Sequence, residues 1–316
     1  TTNIFTLDIG LLDKRANWLK RRLKLKPREI SKIMQSQPQI LARTNLGPKI
    51  NYLQTRLLLD DKALRKLIMS APHILGCSIE FNIDPTLNWL QERLCLDDIA
   101  VSKMISRQPY TLGCSVKDNL EPTLTWLQRR LGLDGATISK IIQTYPQIMH
   151  LSIESNLELK LEWLRQRLNM NQYQISKMIQ RSPAILGLSI DDNLQPKLEW
   201  IQEHLSLTDE GLSNLALKFP SIFHCNLQTN LIPTLNFYIE ALGNEQEASS
   251  LLVSNPSLFA YSLERRLKPR LEEIRNAGIV IDAACLRKMA QCTDVQWAKK
   301  EWQIVKVDVS RMENAS

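Results

Sequence analysis

The sequence contains few of the residues that hold metals or cross-link chains, with four histidines and six cysteines among its 316 residues. The histidines are isolated from one another, and no two cysteines form a C-x-x-C pair, so the spacings typical of zinc sites are missing. The H-E-x-x-H, G-x-S-x-G and Walker A motifs of common metalloprotease, hydrolase and NTP-binding sites are also missing. We therefore expect a protein that is not an enzyme and requires no metal or cofactor.

Long apolar runs are missing as well. None reaches the ~20 residues that a helix needs to cross a bilayer, so we expect no membrane partner. Hydrophobic residues make up 44% of the chain and charged residues 23%, a composition that supports a folded core and excludes general disorder. The chain begins Thr1-Thr2-Asn3 without an initiator methionine, so we expect that a targeting segment has been removed.

The excess of positive charge lies at one end of the chain. The net charge is +7 overall, yet residues 1–58 alone contain twelve Lys and Arg against three Asp and Glu. The remaining residues together carry a net charge of −2. A basic terminal segment beside a nearly neutral body suits contact with an anionic partner such as nucleic acid, although the same charge would also serve solubility alone.

What the sequence does contain is a repeat of 37 residues. An asparagine recurs at this interval at Asn45, Asn82, Asn119, Asn156, Asn193 and Asn230, and Arg266 follows after 36. A proline recurs in the same frame at Pro72, Pro109, Pro146, Pro183 and Pro220, with Pro38 before them and Pro256 after. Such a period predicts stacked supersecondary units. We therefore predict a single all-α superhelical solenoid of about eight units over residues 1–316, with an atypical basic first unit at 1–44 and an atypical C-terminal cap at 266–316.

Each repeat predicts two helices and a tight connector. In the unit that begins at Asn119, the asparagine can cap a first helix, Pro122 suits its first turn, and leucines follow at helical spacing. A second helix ends before the next proline, Pro146, which disfavours continuation. The segment after that proline is too short for a helix but long enough for a 3₁₀ turn. The predicted caps of the second helices are Asp60, Asp97, Asp134, Asn171 and Thr208.

An aromatic residue stands seven positions after the repeat asparagine. The set is Tyr52, Trp89, Trp126, Trp163, Trp200 and Phe237, with Trp18 in the same role at the start. This position lies to one side of the leucine stripe, so a lone helix would expose it, and an aromatic exposed once per repeat is unusual. We expect each first helix to pack against both its partner and the neighbouring unit. A ladder of aromatics that stacks on bases is the functional alternative.

Three of the cysteines, Cys77, Cys114 and Cys225, occupy a repeat position that holds leucine in other units. A position shared by cysteine and leucine is a packing position, so we expect reduced, structural thiols. His224 beside Cys225 looks like a pair of metal ligands. It stands at a connector position that glycine takes in other units, so we interpret it as a packing variant.

The internal motif resembles that of the mitochondrial transcription termination factor (mTERF) family. The segments I-S-K-M-I-Q-R-S-P-A-I-L-G-L-S-I-D-D-N-L-Q-P-K-L-E-W-I (Ile175–Ile201) and I-S-K-I-I-Q-T-Y-P-Q-I-M-H-L-S-I-E-S-N-L-E-L-K-L-E-W-L (Ile138–Leu164) are similar to mTERF repeats. In these a helix ends at a proline, an I-L-G-x-S connector follows, and an N-L-x-P-x-L-x-W/F-L helix comes next. The resemblance covers nearly the whole chain up to Leu271, but Leu159 replaces the first-helix proline and Asn214 interrupts a lysine position.

The resemblance implies an organelle-targeted nuclear gene product, mitochondrial or chloroplast. Its repeats of two helices and a 3₁₀ turn would build a curved superhelix, a half-ring with a basic groove. Members of such a family bind organellar DNA or RNA in transcription termination or initiation, transcript processing or ribosome assembly, and some bind protein partners. Double-stranded DNA is the expected ligand of this chain, structured RNA is the alternative, and a monomer is expected.

A first set of cations recurs on the second helices, opposite their apolar stripe. This cationic row consists of Lys32, Lys66, Lys103, Lys140 and Lys177, with Arg107, Arg181 and Lys218 at the position four residues later. Cations repeated once per unit on a face that does not pack can contact successive phosphates. The alternative is a solvated face that the helix dipole favours near a C-terminus.

A second set, the arginine row, follows each aromatic position by four residues. It consists of Arg22, Arg56, Arg93, Arg130, Arg167 and His204. An arginine here can hold a phosphate in a bidentate manner, or it can cover its own aromatic ring and pair with a neighbouring carboxylate. Its place beside a buried aromatic favours the structural role, but Arg22, Arg93, Arg130 and Arg167 remain candidate contacts to nucleic acid.

Both ends of the chain are rich in basic residues. The N-terminal cluster, Lys20, Arg21, Arg22, Lys24, Lys26 and Arg28, is the densest charge in the sequence. We predict phosphate contacts from Lys20, Arg21 and Arg22, and residual targeting character is the alternative. The C-terminal set, Arg265, Arg266, Lys268 and Arg270, is interleaved with glutamates, so we expect a solvated helix face there.

The leading hypothesis from the sequence is an organellar nucleic-acid-binding factor that acts by occupying its site. It would regulate transcription termination or initiation, or RNA and ribosome maturation. The alternative is a protein-binding helical-repeat scaffold that recruits an RNA-modifying or ribosomal partner, which the nearly neutral charge after residue 58 leaves open.

Overall fold

The computed structural model of the protein describes residues 9–42 and 45–299. Over these residues the chain forms seventeen α-helices joined by short turns, and they contain no β-strand. The predicted all-α tandem-repeat architecture is thereby confirmed. The chain divides into two compact units, residues 1–158 and residues 159–316.

The first compact unit contains four helix pairs. They are α1 (Ile9–Arg22) with α2 (Pro27–Ser36), α3 (Leu46–Arg56) with α4 (Asp61–Ser70), α5 (Asp84–Leu94) with α6 (Asp98–Arg107), and α7 (Glu121–Leu131) with α8 (Gly135–Thr144). A 3₁₀ turn follows each pair, at Pro38–Ala42, Pro72–Gly76, Pro109–Gly113 and Pro146–His150. Each turn opens on the repeat proline, which ends the second helix as predicted.

The second compact unit continues the same pattern. Its helices are α9 (Leu159–Arg167) with α10 (Gln172–Arg181), α11 (Gln195–His204) with α12 (Asp209–Lys218), α13 (Ile232–Leu242) with α14 (Glu245–Ser254), and α15 (Lys268–Asn276) with α16 (Ala283–Gln291) and the short α17 (Asp294–Ala298). The 3₁₀ turns are Pro183–Gly187, Pro220–His224 and Pro256–Ala260.

From α5 onward, each first helix starts from a wider turn of π type, and a serine or asparagine caps that turn. Ahead of α7, Ser115 Oγ accepts a hydrogen bond from the backbone N–H of Asp118 at 3.1 Å. The prediction that Asn119 caps this helix is wrong, because the helical segment begins four residues earlier at Ser115. In the preceding pair, Asn82 Oδ1 instead accepts from the backbone N–H of Ser78 at 3.0 Å.

The second helices begin as predicted. The side chain of the capping residue accepts a hydrogen bond from the backbone N–H three positions later in α4, α6, α8, α10 and α12. Such a cap satisfies one of the N–H groups that the first turn leaves unpaired, and it stabilises the helix by about 1 kcal/mol.

The I-S-K motif of the second helices gives each of its residues a different environment. In α8, Ile138 is buried in the core, Ser139 Oγ donates to the carbonyl of Leu94 at 2.7 Å, and Lys140 is exposed. Leu94 ends the first helix of the preceding pair, so the serine joins consecutive pairs. The same contact recurs from Ser249 at 3.1 Å. The motif therefore links the repeats while it presents the lysine to solvent.

The aromatic position lies at the contact between consecutive helix pairs, as predicted. Trp89 is half-buried, and its Nε1 donates to Glu121, the first residue of α7, at 2.7 Å. The hydroxyl of Tyr52 donates in the same way to Asp84, the first residue of α5. Phe237 is buried, with 8% of its surface exposed. These aromatics therefore hold neighbouring pairs together.

Every first helix is followed by one residue in the left-handed region. The eight residues are Lys24, Leu58, Cys95, Gly132, Asn169, Ser206, Gly243 and Gly278, with φ between 45° and 67°. This conformation turns the chain sharply toward the second helix, and it favours glycine because other residues bring Cβ close to the backbone. Five of the eight positions nevertheless hold another residue.

The C-terminal helix pair is closed by α17. Glu273 stands where other units have the aromatic, and Trp297 Nε1 donates to it at 3.1 Å. Arg270 is 4% exposed, lies 4.7 Å from the Trp297 ring and donates to the carbonyl of Met289 at 2.8 Å. The prediction of a solvated helix face is therefore wrong at Arg270, because Trp297 and α16 bury it. The end of the predicted cap, from residue 300, lies outside the described residues.

Candidate nucleic-acid interface

All eight side chains of the cationic row are exposed on the second helices. The reason is visible in α8, where Ile138, Ile141 and Ile142 fill the core and Lys140 lies on the opposite face. Among the described residues, no member of the row forms an ion pair. Their positive charge is therefore available to a partner.

Arginines of the row also contact the next second helix along the chain. Arg107 Nη1 donates to the carbonyl of Gln143 at 3.2 Å, so α6 and α8 lie side by side in the first compact unit. Arg181 Nη1 donates to the carbonyl of Leu217 at 2.9 Å, which places α10 beside α12 in the second. Equivalent positions of these successive second helices are thus neighbours in space. The cations follow one another along α2, α4, α6 and α8 of the first compact unit and along α10 and α12 of the second, whereas α14 has no Lys or Arg.

One further cation belongs to this row. Lys288 is exposed on α16 and stands six residues after the capping residue Asp282, the spacing that separates Lys140 from Asp134. Lys288 keeps the 37-residue spacing from Lys177, but the two intervening positions hold Asn214 and Leu251, so from the sequence the lysine row ends at Lys177.

The arginine row has different surroundings, since its members are half-buried between helix pairs. Arg93 Nε lies 3.1 Å from Glu121 Oε1, and Arg56 Nη1 lies 2.8 Å from Asp98 Oδ1. The other members make equivalent contacts: Arg22 with Asn51, Gln54 and Asp61, Arg130 with Glu158, and Arg167 with Gln202, while His204 stacks on Trp200. The guanidinium groups of the row therefore bind side chains of the following helix pair.

The N-terminal basic cluster is mostly exposed. Arg21, Lys24, Lys26 and Arg28 are exposed, and Lys20 is half-buried. Lys24 Nζ lies 3.5 Å from Asp61 Oδ2 on α4, an exposed pair that water and salt screen strongly. This cluster connects α1 to α2 and leads into Lys32, the first residue of the cationic row.

The connector histidines are engaged in contacts between helix pairs. His150 Nε2 lies 3.1 Å from Thr111 Oγ1, and its Nδ1 lies 3.4 Å from Cys114 Sγ. Burial lowers the pKa of His150 and raises the pKa of the Cys114 thiol, so both groups are neutral near pH 7. His224 Nε2 lies 2.7 Å from the hydroxyl of Ser182. No three His, Cys, Asp or Glu side chains of residues 9–42 and 45–299 group closely enough to hold a metal ion.

None of the helices in the described part of the chain combines the length and the apolar character needed to span a bilayer. The sequence model of the mTERF family matches residues 19–129 and 127–298. No curated protein matches the chain. The family match covers most of the sequence and its two parts meet within α7, so it includes the helices that carry the cationic row. The chain belongs to the mTERF family of helical-repeat proteins.

Proposed function

We propose that this protein binds nucleic acid through its cationic row and acts by occupying its site on an organellar DNA or RNA. The observation that carries the proposal is the exposure of Lys32, Lys66, Lys103, Lys140 and Lys177 at equivalent positions of five consecutive helix pairs. Membership of the mTERF family supports the same conclusion, since the family suggests nucleic-acid binding and its proteins are generally organellar.

Phosphate contacts account best for the kind of residue in the row. Lysine is a flexible point charge that suits phosphate oxygens in many geometries, and neutralised phosphates release counterions. Such contacts supply affinity and register but no direct sequence information. Arg21, Lys26 and Arg28, exposed before Lys32, extend the positive surface at the N-terminal end.

The aromatic positions argue for a duplex or structured ligand over an unpaired strand. Unpaired strands bind on exposed aromatic side chains, on which successive bases stack. Trp89 and Tyr52 instead donate hydrogen bonds to the next helix pair, and Phe237 is buried. We propose double-stranded DNA as the main ligand and structured RNA as the alternative, with a monomer acting in transcription termination or initiation, or in RNA and ribosome maturation.

The arginine row is assigned a supporting role in this proposal. Arg93 and Arg130 each bind a carboxylate of the following helix pair, which would have to be displaced before a phosphate could take its place. Within each compact unit, the arginine row would set the angle between consecutive helix pairs and thereby the spacing of the cationic row there.

The direct test is binding of the purified chain to labelled, sequence-unrelated duplex DNA and duplex RNA over a salt series. The variant Lys103→Glu/Lys140→Glu/Lys177→Glu reverses three charges of the row. A matched control, Lys14→Glu/Lys117→Glu/Arg129→Glu, makes the same charge change at exposed positions outside the row. We expect salt-sensitive binding by the wild type and the control. The row variant should lose at least tenfold in affinity, because its phosphate contacts are lost. Each lost contact should also reduce the slope of log K against log salt concentration by about 0.9.

Equal loss in both triple variants would show that net charge alone attracts the ligand and would contradict the assignment of the row. No binding at low salt would contradict the proposal itself. The chain would then be examined as a scaffold for a protein partner, the alternative that the nearly neutral charge after residue 58 leaves open.

A further inference from the structure

One position of the first helices carries a buried polar residue in every helix pair from α3 to α15. It lies four residues after the repeat asparagine and is occupied by Lys49, Thr86, Thr123, Lys160, Lys197, Thr234 and Arg270, none more than 5% exposed. Lysine is almost never fully buried unless its ammonium group is satisfied. Three buried lysines at one repeat position therefore indicate that the fold builds a site for a positive charge there.

The oxygens of this site are seen most completely around Lys197. Its Nζ donates to Asn193 Oδ1 at 2.9 Å and to the carbonyl of Phe223, in the 3₁₀ turn of the same unit. Lys160 Nζ donates to the equivalent carbonyl, that of Leu186, at 2.8 Å, and Lys49 Nζ to that of Leu75 at 2.9 Å. In all three units a backbone carbonyl of the 3₁₀ turn thus accepts a hydrogen bond from the lysine ammonium group. Around Lys197 the amide oxygen of Asn193 accepts a second one.

The oxygens that bind the lysine ammonium group at this site are uncharged. The hydrogen-bond partners of Lys197 among the described residues are an amide oxygen and a carbonyl, and burial lowers the pKa of this lysine. Carbonyl dipoles at the C-terminal end of a short helix present partial negative charge, which favours a cation. The environment therefore has the polarity of a monovalent-cation site.

Among the helix pairs with threonine at this position, the pair of α13 leaves both oxygens without a partner in the described residues, whereas in the pairs of α5 and α7 only one of the two, Thr86 Oγ1 or Asn119 Oδ1, is unpaired. Thr234 replaces the lysine, and both Thr234 Oγ1 and Asn230 Oδ1 are buried and receive no hydrogen bond from any described residue. The hydroxyl of Tyr238, one turn further along the same helix, is also buried without a partner among them. Thr234 and Tyr238 are fully buried, with 0% of their surface exposed. Such unpaired buried oxygens cost stability unless something binds them.

We propose that the helix face formed by Asn230 and Thr234 binds a monovalent cation of ammonium size, potassium or ammonium, at the place where the Lys197 ammonium lies in the preceding unit. The carbonyls of Phe259 and Tyr261, third and fifth after Pro256, complete the ligand set by repeat equivalence. Potassium exchanges its hydration shell for neutral carbonyl oxygens of this kind. The lack of a carboxylate in the set disfavours calcium and magnesium, which bind carboxylates preferentially.

The site is tested first by thermal unfolding of the full chain in potassium chloride and in choline chloride at equal ionic strength. A ligand that binds only the folded state stabilises it, so potassium at about ten times its Kd should raise the Tm by about 2 °C. Lithium chloride, whose ion is too small for the site, should give the Tm of choline chloride.

Two variants of Thr234 and one of Lys197, its equivalent in the preceding helix pair, show whether the potassium-dependent rise in Tm comes from this site. Thr234→Lys supplies its own ammonium and should remove the difference between potassium and choline. Thr234→Val deletes one oxygen and keeps the shape, so it should at least halve that difference. Lys197→Thr is the matched variant: it should melt lower in choline but gain a second potassium-dependent increment of similar size.

Crystals grown with thallium(I) in place of potassium give a direct view. An anomalous peak between Asn230 Oδ1 and Thr234 Oγ1 would support the proposal even if a variant failed to fold. The proposal is overturned by equal melting in potassium and choline together with an ordered water at that point. It is also overturned if potassium stabilises Thr234→Lys as much as the wild type, because the cation would then bind elsewhere.

Discussion

Arg93 and Glu121, separated by 28 residues, join two consecutive helix pairs: Arg93 Nε lies 3.1 Å from Glu121 Oε1 and 3.2 Å from Oε2. The same carboxylate accepts from Trp89 Nε1 at 2.7 Å. Together these hydrogen bonds lower the pKa of Glu121 against the opposing effect of its burial. One acidic side chain at the start of α7 thus receives both the aromatic and the arginine of the preceding first helix.

We expect Glu121→Gln to destabilise the protein by about 1 kcal/mol, since it weakens a charge-assisted contact that is partly open to solvent. A double-mutant cycle with Arg93→Met should give a coupling free energy of about 0.5–1 kcal/mol in urea unfolding. Additive effects of the two substitutions would show that the interaction between Arg93 and Glu121 does not stabilise the protein. The exposed Glu92→Gln serves as the control and should change stability little.

The positive-φ residue Leu58 offers a stabilising substitution. Its φ is 52° and its side chain is 64% exposed, so it adopts a strained conformation with little burial in return. Leu58→Gly should stabilise the protein by about 0.5–1 kcal/mol. This is the strain that the substitution relieves minus the larger backbone entropy that glycine loses on folding. Thermal unfolding measures the change. The reciprocal variant Gly132→Ala, at φ 63°, should lower stability.

Periodicity alone predicted much of this structure. The 37-residue interval gave the helix pairs, and the caps such as Asp134 were identified because a short polar side chain before an apolar helical stripe has few other roles. The exposure of Lys140 followed from the same stripe, since a face opposite three isoleucines cannot pack.

Contacts between units were harder to predict. The capping role was assigned to Asn119, although Ser115 supplies the cap, because an asparagine three residues before a proline is also what an ordinary capped α-helix shows. The partner of Arg93 was not named, yet Asp84, Glu121 and Glu158 stand at one repeat position and could have indicated it. Buried lysines such as Lys197 were missed because a hydrophobic pattern treats lysine as a surface residue.

The connector histidines predict a loss of stability in acid. Burial lowers the pKa of His73, His150 and His224 below the ordinary value of 6.5. The unfolded chain therefore binds protons more readily than the folded chain as the pH falls below about 6.5. Stability is fully present above that value and is lost progressively as the pH falls through the lowered folded pKa of each histidine.

His150→Asn isolates one of these contributions. The wild type should lose more unfolding free energy than the variant between pH 7 and pH 5, while at pH 7.5 the variant should be the less stable because contacts to Thr111 and Cys114 are lost. Urea unfolding at each pH gives both quantities. Parallel pH profiles for the two proteins would show that His150 does not titrate differently in the folded state.

Substitutions in the cationic row should change nucleic-acid binding, and substitutions in the arginine row should change stability. Lys140→Gln removes an exposed charge with no ion pair among the described residues, so we expect stability within about 0.5 kcal/mol of wild type. The slope of log K for nucleic-acid binding against log salt concentration, the salt slope, should fall by about 0.9. Arg130→Gln removes a guanidinium that lies 2.9 Å from Glu158, so it should lower stability by about 1 kcal/mol and leave the salt slope nearly unchanged. Binding over a salt series and urea unfolding on the same preparations measure both. A slope that falls with Arg130→Gln and not with Lys140→Gln would reverse the assignment, because the phosphates would then lie along the arginine row.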